Sequence, residues 1–131
     1  MGGRGTFAFG RNAKYVYQAD KTFTPDGKWM GVKILKGIKG TGKHSLPEEA
    51  HSSFAYMKLK KDGTFHEMRF YDKDHYCTFE IAFHPEPSLD KSGRCVLHYH
   101  KYDRNFKRTG AIRIRGAMRR HFLKYLKGIQ L

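Results

Sequence analysis

Between residues 54 and 103, apolar and polar side chains alternate with a period of two. This is the pattern of strands with one buried face. FAYMKLK (54–60), TFHEMRFYD (64–72), HYCTFEIAFH (75–84) and RCVLHYHKYD (94–103) each read as a strand. KKDG and the polar stretch PEPSLDKSG (85–93) separate them, and KD (73–74) predicts a tight reversal. Upstream, KYVYQAD (14–20) and WMGVKIL (29–35) read as short strands with TPDG (24–27) as a turn. SLPEEAHSS (45–53) predicts a short helical turn capped by Ser45. The period changes at the end of the chain. A helical register over 110–127 puts Ile114, Met118, His121, Phe122 and Tyr125 along one side, with Thr109 as cap and Gly128 as stop. The predicted fold is α+β: an antiparallel sheet of four or more strands with a C-terminal helix packed on one face. Residues 1–13, MGGRGTFAFGRNA, read as a flexible Gly-rich basic arm, and 14–131 as a single catalytic or RNA-binding domain.

The alternation also assigns faces. A two-residue loop at Lys73 and Asp74 pairs Asp72 with His75, Met68 with Phe79, Phe70 with Cys77, Glu67 with Glu80 and Arg69 with Thr78. His66, Met68, Phe70, Cys77, Phe79, Ile81 and Phe83 then form the core face. Phe65, Glu67, Arg69, Tyr71, Tyr76, Thr78, Glu80 and His84 form the other. On the next strand Cys95, Leu97 and Tyr99 turn to the core, while Val96, His98, His100 and Tyr102 turn to the polar face. On the preceding one Ala55, Met57 and Leu59 face the core, and Tyr56 and Lys58 face outward. Glu67, Arg69, Glu80, His84, His98 and His100 are therefore expected on one surface, in a register that a one-residue slip would reverse.

Charge narrows the chemistry. The 131 residues carry a formal net charge of +14, which implies an anionic partner or substrate. From Arg104 to the end there are nine basic residues and no acid. Cys77 and Cys95 alone cannot build a structural zinc site and read as buried free thiols. No apolar run reaches transmembrane length, and no secretory signal segment is visible. GIKGTGKH (37–44) lacks P-loop spacing, and no nucleophile elbow is present.

Cleavage of RNA needs a base for the 2′-hydroxyl, an acid for the leaving oxygen and cations for the phosphorane. His98 or His100 fits the acid or base, with Glu67 or Glu80 as its complement and Arg69 as the cation. His44 and His51, flanking SLPEEA, are the next candidates. Lys43 and Lys58 suit phosphate contacts. Tyr56, Tyr71 and Tyr102 suit base stacking, and His84 a substrate contact. His66, His75 and His121 read as structural or idle. His98 and His100 with a carboxylate would also suit zinc, but HEMRF (66–70) only begins like a zinc-binding helix motif, so neither metal nor cofactor is expected. A non-enzymatic nucleic-acid-binding module and a metal-dependent nuclease are the alternatives.

At GKHSLPEEAHSSFAY and GTFHEMRFYDKDHY the chain resembles small C-terminal toxin modules of phage-related and polymorphic bacterial toxins, and GGRG is similar to their glycine-rich joints. The resemblance covers most of residues 40–103. It implies a barnase-like ribonuclease: a sheet holding His, Glu, Arg or Lys, acting on RNA in the cytoplasm, either secreted or delivered as part of a larger toxin. The ribonuclease reading also predicts an acidic immunity protein as a partner able to cover the basic face. The chain departs from that pattern in having its clearest helix last.

Overall fold

A computed structural model describes residues 23–38, 45–50 and 53–130. Seven strands form one sheet in sequential order: β1 (Phe23–Trp29), β2 (Val32–Gly37), β3 (Ala55–Leu59), β4 (Phe65–Tyr71), β5 (Cys77–Pro85), β6 (Cys95–Lys101) and β7 (Ile112–Arg113). Every adjacent pair is antiparallel except β2 and β3. Among the described residues one short helix, α1 (Gly116–Phe122), follows β7 and runs into a 3-10 turn, Leu123–Tyr125. The fold is thus α+β on a mostly antiparallel sheet. The 14–20 segment and the N-terminal arm lie outside the described residues.

Several local expectations are corrected. TPDG does not end a strand. It lies within β1, where the register shifts between Pro25 and Lys28. The reversal comes at Met30 and Gly31, with φ of 52° and 81°, between the paired Trp29 and Val32. Two left-handed residues in a two-residue loop give the turn whose twist matches an antiparallel hairpin. WMGVKIL is therefore split between two strands. Residues 45–50 form no helical turn; Glu49 bridges to Tyr76 instead.

The expected helix is also shorter than its apolar period suggested. Ile112 pairs with Tyr99 and Arg113 with His98, and Ile114 N–H donates to the Leu97 carbonyl at 3.0 Å. The exposed edge of β6 captures these residues before a helix can begin. Thr109 caps nothing helical: its Oγ1 accepts from Lys101 N–H at 3.1 Å. The C-terminal stretch is tied back to the sheet by Trp29 Nε1 donating to Lys124 O at 2.9 Å and Phe65 N–H to Lys127 O at 2.8 Å.

The β4–β5 register differs from expectation by two residues. Glu67 pairs with Ala82, Met68 with Ile81, Arg69 with Glu80 and Phe70 with Phe79. The loop is one residue longer than the KD reversal, with Asp72 N–H bonded to Tyr76 O at 2.9 Å and His75 at φ 70°. Asp72 Oδ1 accepts from Asp74 N–H at 2.9 Å and Tyr76 N–H at 3.1 Å, which rewards this wider turn. A shift between Phe70 and Tyr71 supplies the second residue. Because the total displacement is even, most side chains keep their assigned side.

The exceptions sit at irregular positions. Lys58 pairs with Glu67 while Leu59 pairs with Phe65, leaving His66 as an added residue. Phe65 therefore enters the apolar core, fully buried, and His66 turns to His84, with ring centroids 5.8 Å apart. Cys77, expected with Phe79, packs instead with Tyr71. Cys95 is free but exposed, contrary to the expected buried thiol.

Two clusters result. The larger contains Val32, Met57, Phe65, Met68, Ile81 and Leu97, with Met118, Phe122 and Tyr125 packed against it. The Phe122 ring lies 5.8 Å from Phe79 and 5.7 Å from Phe70. The smaller contains Leu35, Leu46, Ala50, Tyr56, Tyr71, Cys77 and Tyr102. It borders the polar residues singled out from the sequence.

Candidate functional site

Strand pairing places two rows of side chains on the polar side of the sheet. One runs Tyr56, Arg69, Glu80, His100; the other runs Lys58, Glu67, Ala82, His98, Arg113. The expected convergence of Arg69, Glu80, His98 and His100 on one side is present. Their expected exposure is not: Arg69, Glu80, His98 and His100 are all buried. Cover comes partly from residues 45–50, a segment with no periodic pattern to announce it. Leu46 O and Pro47 O face the sheet and accept bonds from it.

Arg69 and Glu80 form the centre. Arg69 Nε donates to Glu80 Oε2 at 2.8 Å, and its Nη1 donates to Leu46 O. Tyr102 Oη donates to Glu80 Oε1 at 3.1 Å, and Arg108 approaches the same oxygen at 3.9 Å. Burial opposes both charges of the pair. The opposite charge of each partner outweighs it, so Arg69 is held more firmly protonated and the Glu80 carboxyl below its usual range. Burial also pushes the Tyr102 phenol up to about 12. Phe106 stacks on Tyr102 with centroids 4.6 Å apart, and the Arg69 guanidinium lies 5.1 Å from the Phe106 centroid. Arg69 is thus engaged by protein groups on several sides, which suits a structural ion pair better than a phosphate contact.

The histidines form a chain of edge-to-face rings. Centroids are 5.8 Å apart for His66 and His84, 4.8 Å for His84 and His98, and 5.4 Å for His98 and His100. His98 Nδ1 meets Val96 O at 2.8 Å and His100 Nδ1 meets Thr109 O at 2.8 Å. A carbonyl only accepts, so each Nδ1 carries a proton and Nε2 is the nitrogen of each ring left for other contacts. His98 Nε2 is buried and has no hydrogen-bond partner among the described residues. Its nearest carboxylate is Glu86, with Oε1 at 4.0 Å. One donor atom from each of Glu86, His98 and His100 lies within 4.8 Å of the other two. Burial pushes His98 below its usual pKa; the Val96 carbonyl and Glu86 act in the opposite sense. The Ser88 hydroxyl, at 2.8 Å, holds Glu86 low and therefore ionised at neutral pH.

Glu86 was not evident in the sequence because it lies beyond β5, between Pro85 and Pro87 in an irregular loop. The only local signal was the following Ser88, whose spacing suits a carboxylate turn. Arg108 was likewise hidden in the basic run.

The other expected site residues are less concentrated. Glu67 pairs with Lys58 at 3.5 Å, so neither is the free acid–base or phosphate group expected. Tyr56 and Tyr71 are buried and meet edge to face at 5.3 Å; Tyr71 Oη donates to Pro47 O at 2.7 Å. With Tyr102, they are core packing rather than open stacking platforms. His84 is half-exposed beside His98, its Nδ1 at 2.9 Å from Pro85 O. Lys43, His44 and His51 lie outside the described residues.

No helix among the described residues is long and apolar enough to cross a membrane. No family model matches the chain, and neither a characterised protein nor a solved structure matches it significantly.

Proposed function

We propose that the chain is a metal-independent endoribonuclease, and that Glu86, His98 and His100 carry its proton transfers. The observation behind this reading is the convergence of two imidazoles, each fixed at Nδ1, on the Glu86 carboxylate. The +14 charge supports an anionic substrate. Glu86, the most accessible of the three, takes the 2′-hydroxyl proton. The 2′-oxygen attacks phosphorus, the bond from phosphorus to the 5′-oxygen breaks, and that oxygen takes an Nε2 proton from the histidine pair in its imidazolium form; the proton held on Glu86 then passes back to the imidazole and restores both groups. The products are a 2′,3′-cyclic phosphate and a 5′-hydroxyl. Both imidazoles are buried, so their cover must open locally for either to reach the substrate directly. Arg69 and Glu80 are positioning residues, and Glu80 lies across from His100. The terminal helix is read as the cover of the apolar sheet face, leaving its cationic side for RNA. An action on cytoplasmic RNA as a toxin, opposed by an acidic immunity protein, is the biological form of this proposal.

The test is incubation of labelled RNA with the chain in EDTA. Glu86→Gln is expected to slow cleavage roughly 10²–10⁴-fold with folding intact. Equal cleavage by wild type and Glu86→Gln would exclude this site. A second reading, nucleic-acid binding without turnover, draws on the burial of both histidines and the exposed basic residues Arg115, Arg119 and Arg120. It predicts retained RNA under the same conditions and no product.

A further inference from the structure

We propose that Glu86, His98 and His100 form a binding site for one zinc-class divalent cation, and that occupancy silences the proton transfers of the same groups. The first half rests on geometry alone; the second rests on the ribonuclease reading.

The donor set suits such an ion. Two imidazole nitrogens and one carboxylate oxygen are borderline ligands that favour zinc and its first-row neighbours, while magnesium and calcium prefer all-oxygen shells. The tautomers are already set. Both Nδ1–H groups bond backbone carbonyls at 2.8 Å, the outer-shell arrangement that orients a metal-bound imidazole and leaves Nε2 to ligate. His98 supplies the independent observation. Its side chain is fully buried, yet Nε2 has no partner among the described residues and lies 4.0 Å from Glu86. A buried polar atom left this way carries a desolvation cost that a ligand would relieve.

The spacing requires only modest closure. Zinc–ligand bonds near 2.0–2.1 Å in a tetrahedron place neighbouring donors ~3.3 Å apart. The donor atoms of the three residues lie within 4.8 Å of one another. The two histidines are held on β6, whereas Glu86, 4.0 Å from His98 Nε2, projects from a loop and can approach them by side-chain rotation. Three protein ligands leave a fourth position for water. His84 lies against the His98 ring and outside the cluster, with its own Nδ1 at Pro85 O. Binding would occupy both Nε2 lone pairs and the Glu86 carboxylate. No group of the trio would then be free to accept or deliver a proton.

The experiment titrates the full chain with cobalt(II), as a spectroscopic stand-in for zinc, then with zinc and separately with magnesium. One equivalent of cobalt should produce tetrahedral ligand-field absorption, zinc should displace it, and magnesium should not. Glu86→Gln, at a part-exposed loop position, should weaken zinc binding at least tenfold while circular dichroism stays unchanged. His98→Ala is the stricter variant, used only if it folds. Glu67→Gln, a carboxylate on the same sheet side but paired with Lys58, should leave binding unchanged. Absence of the cobalt spectrum, or binding indifferent to Glu86→Gln, overturns the metal site and leaves the ribonuclease reading standing. The RNA assay in EDTA and with added zinc tests the consequence. Cleavage in EDTA that falls with one equivalent of zinc supports silencing. Undiminished cleavage by the zinc-loaded chain overturns it. Zinc binding with no cleavage under either condition refutes the ribonuclease reading and retains the site. Cleavage that requires zinc retains the site and overturns both silencing and the metal-free mechanism.

Discussion

Removing the Glu80 carboxylate would leave Arg69 as a buried cation facing the carbonyls of residues 46 and 47. Breaking one member of such a pair costs about 3–5 kcal/mol, because the surviving charge is uncompensated. Glu80→Gln is therefore expected to lower the stability measured by urea unfolding by that amount, whereas Tyr102→Phe, which removes one hydroxyl, should cost about 1 kcal/mol. Acid should act like the first substitution. The folded-state pKa of Glu80 is depressed, so its stabilisation is full above the unfolded carboxyl value. It is lost as pH falls through the lower folded value. Unfolding measured from pH 6 downward should show this acid-linked loss in the wild type and less of it in Glu80→Gln. That Arg69 and Glu80 share a side was readable from alternation alone. Their burial was not, because Leu46 and Pro47 reach them from a segment whose sequence carries no period.

The β4–β5 hairpin shows why strand existence is easier to read than strand register. The alternation of TFHEMRFYD and HYCTFEIAFH was sufficient to place both strands, but the pairing depends on Asp72, His75 and a bulge near Tyr71. An even displacement kept Arg69 and Glu80 on one side and made them direct partners in place of the expected Arg69–Thr78 and Glu67–Glu80 pairs; the odd one opposite Lys58 and Leu59 exchanged His66 with Phe65. The helix was overextended for a related reason. Its apolar period could not show that Ile112 and Arg113 would satisfy the open edge of β6. The docking of the C-terminal stretch can be tested at Gly128. Its φ is +74°, and a Cβ there would lie 2.7 Å from Thr64 Cγ2. Gly128→Ala is expected to destabilise by about 1–3 kcal/mol, through backbone strain and the clash together. Adding Thr64→Ser removes the offending methyl and should recover part of that loss in thermal unfolding.

At the scale of the molecule, one sheet separates an aromatic-rich core from a buried polar centre, while much of the basic C-terminal run remains exposed. RNA affinity should therefore fall steeply with salt as displaced counterions are released. Replacing Arg115, Arg119 and Arg120 together by alanine should reduce the slope of log K against log salt by roughly 0.7 for each phosphate no longer neutralised, with little change in stability. Such a result would establish an RNA surface but not a reaction. The proposed reaction lies at Glu86, His98 and His100, and analysis of RNA product ends after incubation in EDTA is its sharpest test. Metal-free transphosphorylation by the wild-type chain should leave 2′,3′-cyclic phosphate and 5′-hydroxyl ends. Intact RNA, or products carrying 3′-hydroxyl and 5′-phosphate ends, would contradict it.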